Sequence, residues 1–215
     1  MKKVAVIGAS GMAGSAAYKL ASSKPNLEVT GIVRHKEKAE KVLGKDANLI
    51  YGDVLTMNDS LLEKFDIIVD ALGTTPDEAD QQVTLAKKLV NLARHNKIKL
   101  IFILGAGSLV TGEDKHLVVD DIEKMPGSEE WINIPKEQLE ELEYLRGVDD
   151  VDWMGISPAM EFVEGPEEDY EVGEDELLYD DDGNSKVTSG TMAKVIVDEI
   201  ENPEYTRERI TIVNK

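Results

Sequence analysis

Hydrophobic and polar positions divide this chain into two kinds of segment that alternate along its length. Short runs, apolar at almost every position, fall at residues 3–8, 28–33, 48–51, 66–71, 98–104, 151–157 and 209–213. Their β-branched content predicts strands. Ile67-Ile68-Val69 and Leu100-Ile101-Phe102-Ile103-Leu104 offer solvent no polar position, as in strands covered on both faces. Longer stretches at 12–23, 36–43, 58–64, 77–96, 135–146 and 190–201 predict helices. Asp77-Glu78 opens the fourth of these with negative charge, which the positive end of a helix dipole favours. Strand–helix alternation with buried strands predicts an α/β fold, a doubly wound parallel sheet with right-handed crossovers. With 215 residues and no linker, residues 1–215 are expected to form one domain with a full core.

Such sheets bind ligands beyond the carboxyl ends of their strands, near the switch point. That rule singles out residues 8–14, 34–38, 52–54, 70–76, 105–109 and 157–163. The first of these segments is the most informative. Val4-Ala5-Val6-Ile7 runs into Gly8-Ala9-Ser10-Gly11-Met12-Ala13-Gly14 and then a helical stretch. A strand, a glycine turn and a helix N-terminus together aim backbone N–H groups and a positive dipole end at an anion, usually a pyrophosphate. The glycines serve the tight turn, close ligand approach and helix–strand packing. The spacing is G-x-x-G-x-x-G rather than G-x-G-x-x-G.

Composition narrows the possibilities. There are no cysteines, which excludes disulfides, thiolate catalysis and cysteine-ligated metals, and a reducing cytoplasm is the expected setting. No apolar run approaches the roughly 20 residues of a membrane span, and Lys2-Lys3 leads into a strand rather than a signal peptide. The formal net charge of −19 is unevenly spread: residues 1–100 carry 15 Lys and Arg against 12 Asp and Glu, residues 101–215 carry 9 against 31. An acidic C-terminal half repels nucleic-acid phosphates, so no nucleic-acid partner is expected. Solubility is the simplest reading of that surface, with a cationic partner as the alternative. The acidic stretch 161–182 contains the turns Gly165-Pro166 and Asp181-Asp182-Gly183-Asn184. It is expected to form a small acidic lobe over the site, anchored by Tyr170, Val172, Leu177, Leu178 and Tyr179.

A site preferring NAD usually ends its second strand with Asp or Glu, which accepts from the ribose 2′-hydroxyl. Here that end reads Val33-Arg34-His35-Lys36-Glu37-Lys38. A guanidinium suits a 2′-phosphate, and Lys38 lies one helical turn further on. Arg34 and Lys38 also suit a solvated helix start. Joined to the glycine turn, the phosphate reading prevails, and NADP(H) is expected over NAD(H).

Gly8-Ala9-Ser10-Gly11-x-x-Gly14, Val33-Arg34, Gly52-Asp53-Val54, Asp70-Ala71-Leu72-Gly73 and Ser157-Pro158-Ala159 occur in the order and spacing of a known group. With Asp182-Gly183-Asn184-Ser185 and the last helix and strand, the whole chain resembles the atypical short-chain dehydrogenase/reductases. The branch it is most like contains NADH-flavin reductase-like, NmrA-like and biliverdin reductase B-type proteins. The resemblance implies a Rossmann-type fold in which Gly8, Ser10, Gly11, Met12, Ala13 and Gly14 hold the pyrophosphate. It also implies that Arg34 and Lys38 hold the 2′-phosphate, and that Asp53 and Val54 meet the adenine edge. Leu72, Gly73 and Thr74 would then line the ribose and phosphate path, and Ser108 with Pro158, Ala159 and Met160 would flank the nicotinamide. Asp53 as a turn acid and Ser108 as a backbone-bonded loop hydroxyl are the structural alternatives.

Two departures from the group bear on chemistry. Carbonyl-reducing members carry a tyrosine with a lysine four residues later. The residues four after Tyr18, Tyr51, Tyr144, Tyr170, Tyr179 and Tyr205 are Ser22, Leu55, Val148, Glu174, Gly183 and Arg209, and none is lysine. After Phe162, where flavin reductase-like relatives tend to carry basic residues, the chain reads Glu164-Gly165-Pro166-Glu167-Glu168-Asp169, which disfavours an anionic acceptor. Hydride transfer to an isoalloxazine needs little proton help and mainly requires two stacked rings. The expectation is therefore an NAD(P)H-dependent reductase of a flavin- or quinone-like planar acceptor. Met160 and Phe162 are candidates for an apolar wall or for core. Ser108 and His116 are the candidate catalytic residues, His116 as an acid over the nicotinamide. The three histidines have no metal-ligand spacing, so no metal is expected. The alternative is a non-catalytic NAD(P)-binding sensor of NmrA type, with the acidic lobe as its partner face. A monomer or homodimer without membrane contact is expected.

Overall fold

Strands and helices alternate through most of the chain: β1 (Lys2–Ile7), α1 (Met12–Ser22), β2 (Leu27–Val33), α2 (Lys36–Leu43), β3 (Leu49–Tyr51), β4 (Ile67–Asp70), α3 (Gln81–His95) and β5 (Lys99–Ile103). A small irregular lobe follows, with the two-residue strands β6 (Val110–Thr111) and β7 (His116–Leu117) and helix α4 (Val118–Glu123). The chain then forms α5 (Asn133–Arg146), β8 (Trp153–Ser157), β9 (Glu161–Val163), β10 (Tyr170–Gly173), β11 (Lys186–Thr188), α6 (Ser189–Glu201) and β12 (Glu208–Asn214). This is a computed structural model, and it describes residues 1–215.

Eight strands make one sheet in the order β10-β12-β8-β5-β4-β1-β2-β3. Every neighbouring pair in it is parallel except β10 with β12. The architecture is the Rossmann-type doubly wound α/β domain expected from the alternation. Strand order reverses at β1, whose neighbours are β2 and β4. The carboxyl ends of β1 and β4 therefore border the crevice where such sheets bind ligands.

The pleat divides each apolar strand between two cores. Val4 and Val6 of β1 face a cluster shared with α1 and α6, whereas Ala5 and Ile7 face one shared with α3 and α5. β4 splits likewise: Ile67 and Val69 go to the first cluster, Ile68 to the second. A third, smaller cluster of Leu109, Val118, Val119, Ile122 and Ile132 holds the lobe after β5 together. α1 buries Gly14, Ala17, Tyr18 and Ala21, a stripe at three- and four-residue spacing.

The segments differ from expectation where a short polar stretch must end quickly. Residues 58–64 make only a 3₁₀ turn, Asp59–Leu61, capped by Asn58, whose side chain accepts from the Ser60 N–H. The helix expected over 77–96 opens as a separate 3₁₀ turn at Pro76–Glu78 and continues as α3. The acidic stretch folds, but mostly along the sheet edge rather than over the site. β12 would otherwise leave a row of unpaired backbone groups there, and Tyr170–Gly173 pairs with it. Tyr170, Leu177 and Leu178 pack inward, whereas Val172 and Tyr179 are exposed.

Candidate functional site

A cavity of about 500 Å³ opens at the carboxyl ends of β1, β2, β4, β5 and β8, within the usual range of small-molecule sites. Its floor is the turn from Gly8 to Ala13. Gly8 takes φ +70°, and a Cβ there would lie 2.3 Å from the Ala71 carbonyl oxygen. A Cβ on Gly14 would lie 2.2 Å from the Gly8 carbonyl oxygen. Both glycines are sterically required, Gly8 for the turn and Gly14 for seating α1 against it. Gly11 is the N-cap of α1, and no side chain caps the helix. Its first N–H groups therefore have no intrahelical partner and are free for an anion.

One end of the cavity carries charge. Arg34, His35 and Lys38 line it from the end of β2 into α2, opposite Asp53 and Val54. Arg34 and Lys38 are exposed, and neither forms an ion pair, whereas Lys36 beside them pairs with Glu40 at 3.7 Å. Asp53 serves its own loop as well: one carboxylate oxygen accepts from the Leu55 N–H at 3.0 Å. The turn-acid alternative and the lining role are both true of this residue.

The opposite end carries none. Leu72, Gly73, Gln81, Ile103, Leu104, Gly105, Ala106, Gln138, Pro158, Ala159, Met160 and Phe162 line it, and none of them is ionisable. Met160 and Phe162 also pack against core clusters, so wall and core roles coincide. No sequence motif marks Gln81 or Gln138, the two amides on this wall. Helix α5 crosses the loop after β5 so closely that a Cβ on Gly107 would lie 2.8 Å from the Pro135 Cβ. The pair Gly105 and Gly107 was the sequence feature that allowed this approach.

Of the other residues expected at the site, Gly14 supports the turn from behind and Thr74 accepts from the buried Gln82 amide at 3.0 Å. Neither candidate catalytic residue reaches the cavity wall. Ser108 is buried and donates to the Gly105 carbonyl at 2.9 Å. Arg209 donates to the hydroxyls of Ser108 at 3.0 Å and Ser157 at 2.9 Å. Ser108 thus plays the backbone-bonded loop role, and the cation beside it is structural. His116 lies in the outer lobe between Asp114 and Asp121, 2.6 Å and 2.7 Å from their carboxylates. These hydrogen bonds, the one to Asp114 foremost, raise its pKa, and both of its ring nitrogens are engaged by carboxylates outside the cavity wall. The acidic stretch contributes only Phe162, its second residue, beside Met160.

Behind the uncharged wall lies a buried carboxyl pair. Asp70, at the end of β4, accepts from the Leu72 N–H at 2.9 Å. Burial pushes its carboxyl up to about 6 despite that bond. Glu141, buried on α5, is raised well above the usual range by burial and then by the charge of Asp70.

Known proteins share this fold over its whole length. The family profile described as NAD(P)H-binding matches residues 8–203. YwnB of Bacillus subtilis (strain 168), a protein of uncharacterized function, is 31% identical over 216 residues, covering 99% of each chain. A crystal structure from Lactobacillus casei superposes with a TM-score of 0.90 at 34% identity, covering 99% of each chain. Another, from Streptococcus pneumoniae TIGR4 and provisionally named an NADH-flavin reductase, gives a TM-score of 0.87 at 28% identity, covering 100% of each.

Proposed function

The chain belongs to the NAD(P)H-binding family, and on that premise we propose that it is an NADPH-preferring reductase of a planar acceptor of the flavin or quinone kind. One observation carries the reading: every ionisable side chain on the cavity wall belongs to residues 34–53, and the far end has none. A 2′-phosphorylated nucleotide suits the first end, and two stacked neutral rings suit the second. The name given to the Streptococcus pneumoniae relative agrees with a flavin as acceptor.

The residues fit the dinucleotide. Gly8, Ser10 and Gly11, with the first N–H groups of α1 at Met12 and Ala13, form the cradle for the pyrophosphate, and Gly14 keeps the helix seated. Arg34 and Lys38 hold the 2′-phosphate, Asp53 and Val54 meet the adenine, and Leu72 and Gly73 line the path toward the nicotinamide. When bound, NADPH supplies a hydride, and the acceptor takes it with one proton from water to leave NADP⁺ and the dihydro-acceptor. Pro158, Ala159, Met160 and Phe162 orient the rings and exclude water, which supplies proximity rather than acid catalysis. No tyrosine–lysine pair is required for that step.

The test is oxidation of NADPH by purified protein with riboflavin, FMN or a soluble quinone, followed at the nicotinamide absorbance band. Acceptor-dependent loss of absorbance supports the reductase. Saturable NADPH binding with no turnover across the panel overturns it and favours a cofactor sensor.

A further inference from the structure

We propose that the uncharged end of the cavity recognises a neutral ring system with an imide-type edge through the side-chain amides of Gln81 and Gln138, and discriminates against acceptors that carry a phosphate or carboxylate. This rests on the cavity being a reductase site and names the substrate class within it.

Gln81 opens α3 and Gln138 lies in α5, and both are half-buried on the cavity wall. Neither amide is hydrogen-bonded to another protein group. The contrast with Gln82 is direct: one position on, that side chain is buried and spends its amide on Thr74. Each free amide offers two N–H donors and a carbonyl acceptor. A ring that displaces water from this end leaves those groups unsatisfied unless it supplies partners of its own.

Gly105 sets where one amide stands. A Cβ there would lie 2.0 Å from the Gln138 Oε1 and 2.6 Å from its Cδ, so the amide occupies the space a side chain would take. Ile103, Leu104, Met160 and Phe162 supply apolar surface for ring faces beside it. The carbonyl–N–H–carbonyl edge of an isoalloxazine alternates acceptor, donor and acceptor, and a carboxamide complements it.

An anion finds no partner here. The cations of the wall are Arg34 and Lys38, both at the other end. Exposed Glu161 and Glu164 flank Phe162, and no Lys or Arg occurs between Arg146 and Lys186. A phosphate brought to this end loses water without gaining a counter-charge and meets a negative field.

The test uses full-length protein saturated with NADP⁺, which holds the cofactor site without turnover, and follows quenching of flavin fluorescence. Riboflavin is expected to bind at least about tenfold more tightly than FMN at low salt, with the gap narrowing as salt screens the phosphate. Gln138→Leu is expected to weaken riboflavin about tenfold, the loss of one to two hydrogen bonds, while NADP⁺ affinity stays within about twofold. FMN binding as tightly as riboflavin overturns the proposal. So does a Gln138→Leu variant that leaves riboflavin binding unchanged or weakens NADP⁺ equally. Turnover of quinones with no flavin binding sinks this inference and keeps the reductase. Riboflavin binding as described, with no turnover of any acceptor, does the reverse.

Discussion

Arg34 stands unpaired on the cavity rim in a chain where acidic residues outnumber Lys and Arg 43 to 24. A cation that could be neutralised by so many carboxylates, and is not, remains available for a ligand. Arg34→Ala is expected to weaken NADPH about 10- to 100-fold, the loss of charge-assisted hydrogen bonds of roughly 1.5–3 kcal/mol. NADH, lacking the 2′-phosphate, should change by about twofold or less, and equal losses by calorimetric titration would remove the basis for NADP preference. The buried carboxyl pair makes a prediction of opposite character. Asp70 and Glu141 have folded pKa values above their ordinary ones, so the native state binds their protons more tightly than the unfolded chain. Their effect on stability is most favourable below about pH 4. It declines as pH rises from about 4 through about 6 for Asp70, and likewise as pH rises through the raised pKa of Glu141. Glu141→Gln, which cannot ionise, should therefore melt higher than the wild type at pH 8 and converge with it near pH 4. A variant that melts lower throughout the range would mean that the carboxyl makes contacts its amide cannot replace.

At the scale of elements, what was legible followed from how many faces each one buries. β1, β2, β4, β5 and β8 are almost wholly apolar because both faces are covered, and such runs announce themselves. β10 was not legible, because Tyr170-Glu171-Val172-Gly173 is an edge strand with exposed positions, called into the sheet by the open edge of β12. The glycine turn was readable because its function is carried by the backbone. Gln138 was not, because it reaches the cavity only through the tertiary approach of α5 across Gly105 and Gly107. Arg209 opens the strand segment 209–213 with nothing in its neighbours to mark it, yet it joins four elements. Besides Ser108 and Ser157 it donates to Asp175 from Nη2 at 2.5 Å and Nε at 3.2 Å, tying β12 to the end of β8, the loop after β5 and the acidic stretch. Burial lowers its pKa, partly offset by Asp175. Arg209→Met should destabilise the fold by roughly 1–3 kcal/mol in urea unfolding, because Ser108 and Ser157 lose a buried donor. NADP⁺ affinity should persist in the folded fraction, since the glycine turn and Arg34 lie across the sheet. A large loss of cofactor affinity at unchanged stability would make Arg209 part of the site instead.

Across the whole molecule, one charge distribution acts on the fold and on the ligand in opposite directions. Residues 101–215 carry 31 Asp and Glu against 9 Lys and Arg, so that half repels itself. Most ion pairs that relieve this are exposed, such as Arg94–Asp150 at 2.8 Å, and exposed pairs contribute little. Lys99–Glu199 at 2.9 Å is a buried exception, with side chains 8% and 2% exposed, and salt screens such a pair far less. Repulsion among the unpaired acids is therefore the term that salt changes most. Raising ionic strength from about 0.01 M to 0.1 M shortens the screening length from about 30 Å to about 10 Å, and the melting temperature should rise by several degrees. The same salt screens Arg34 and Lys38 from a 2′-phosphate, so NADPH affinity should fall with a steeper salt dependence than NADH affinity. A melting temperature that falls with salt would show that attractive surface pairs outweigh the repulsion. Parallel salt dependences for the two nucleotides would show that the cations at the end of β2 do not read the 2′-phosphate.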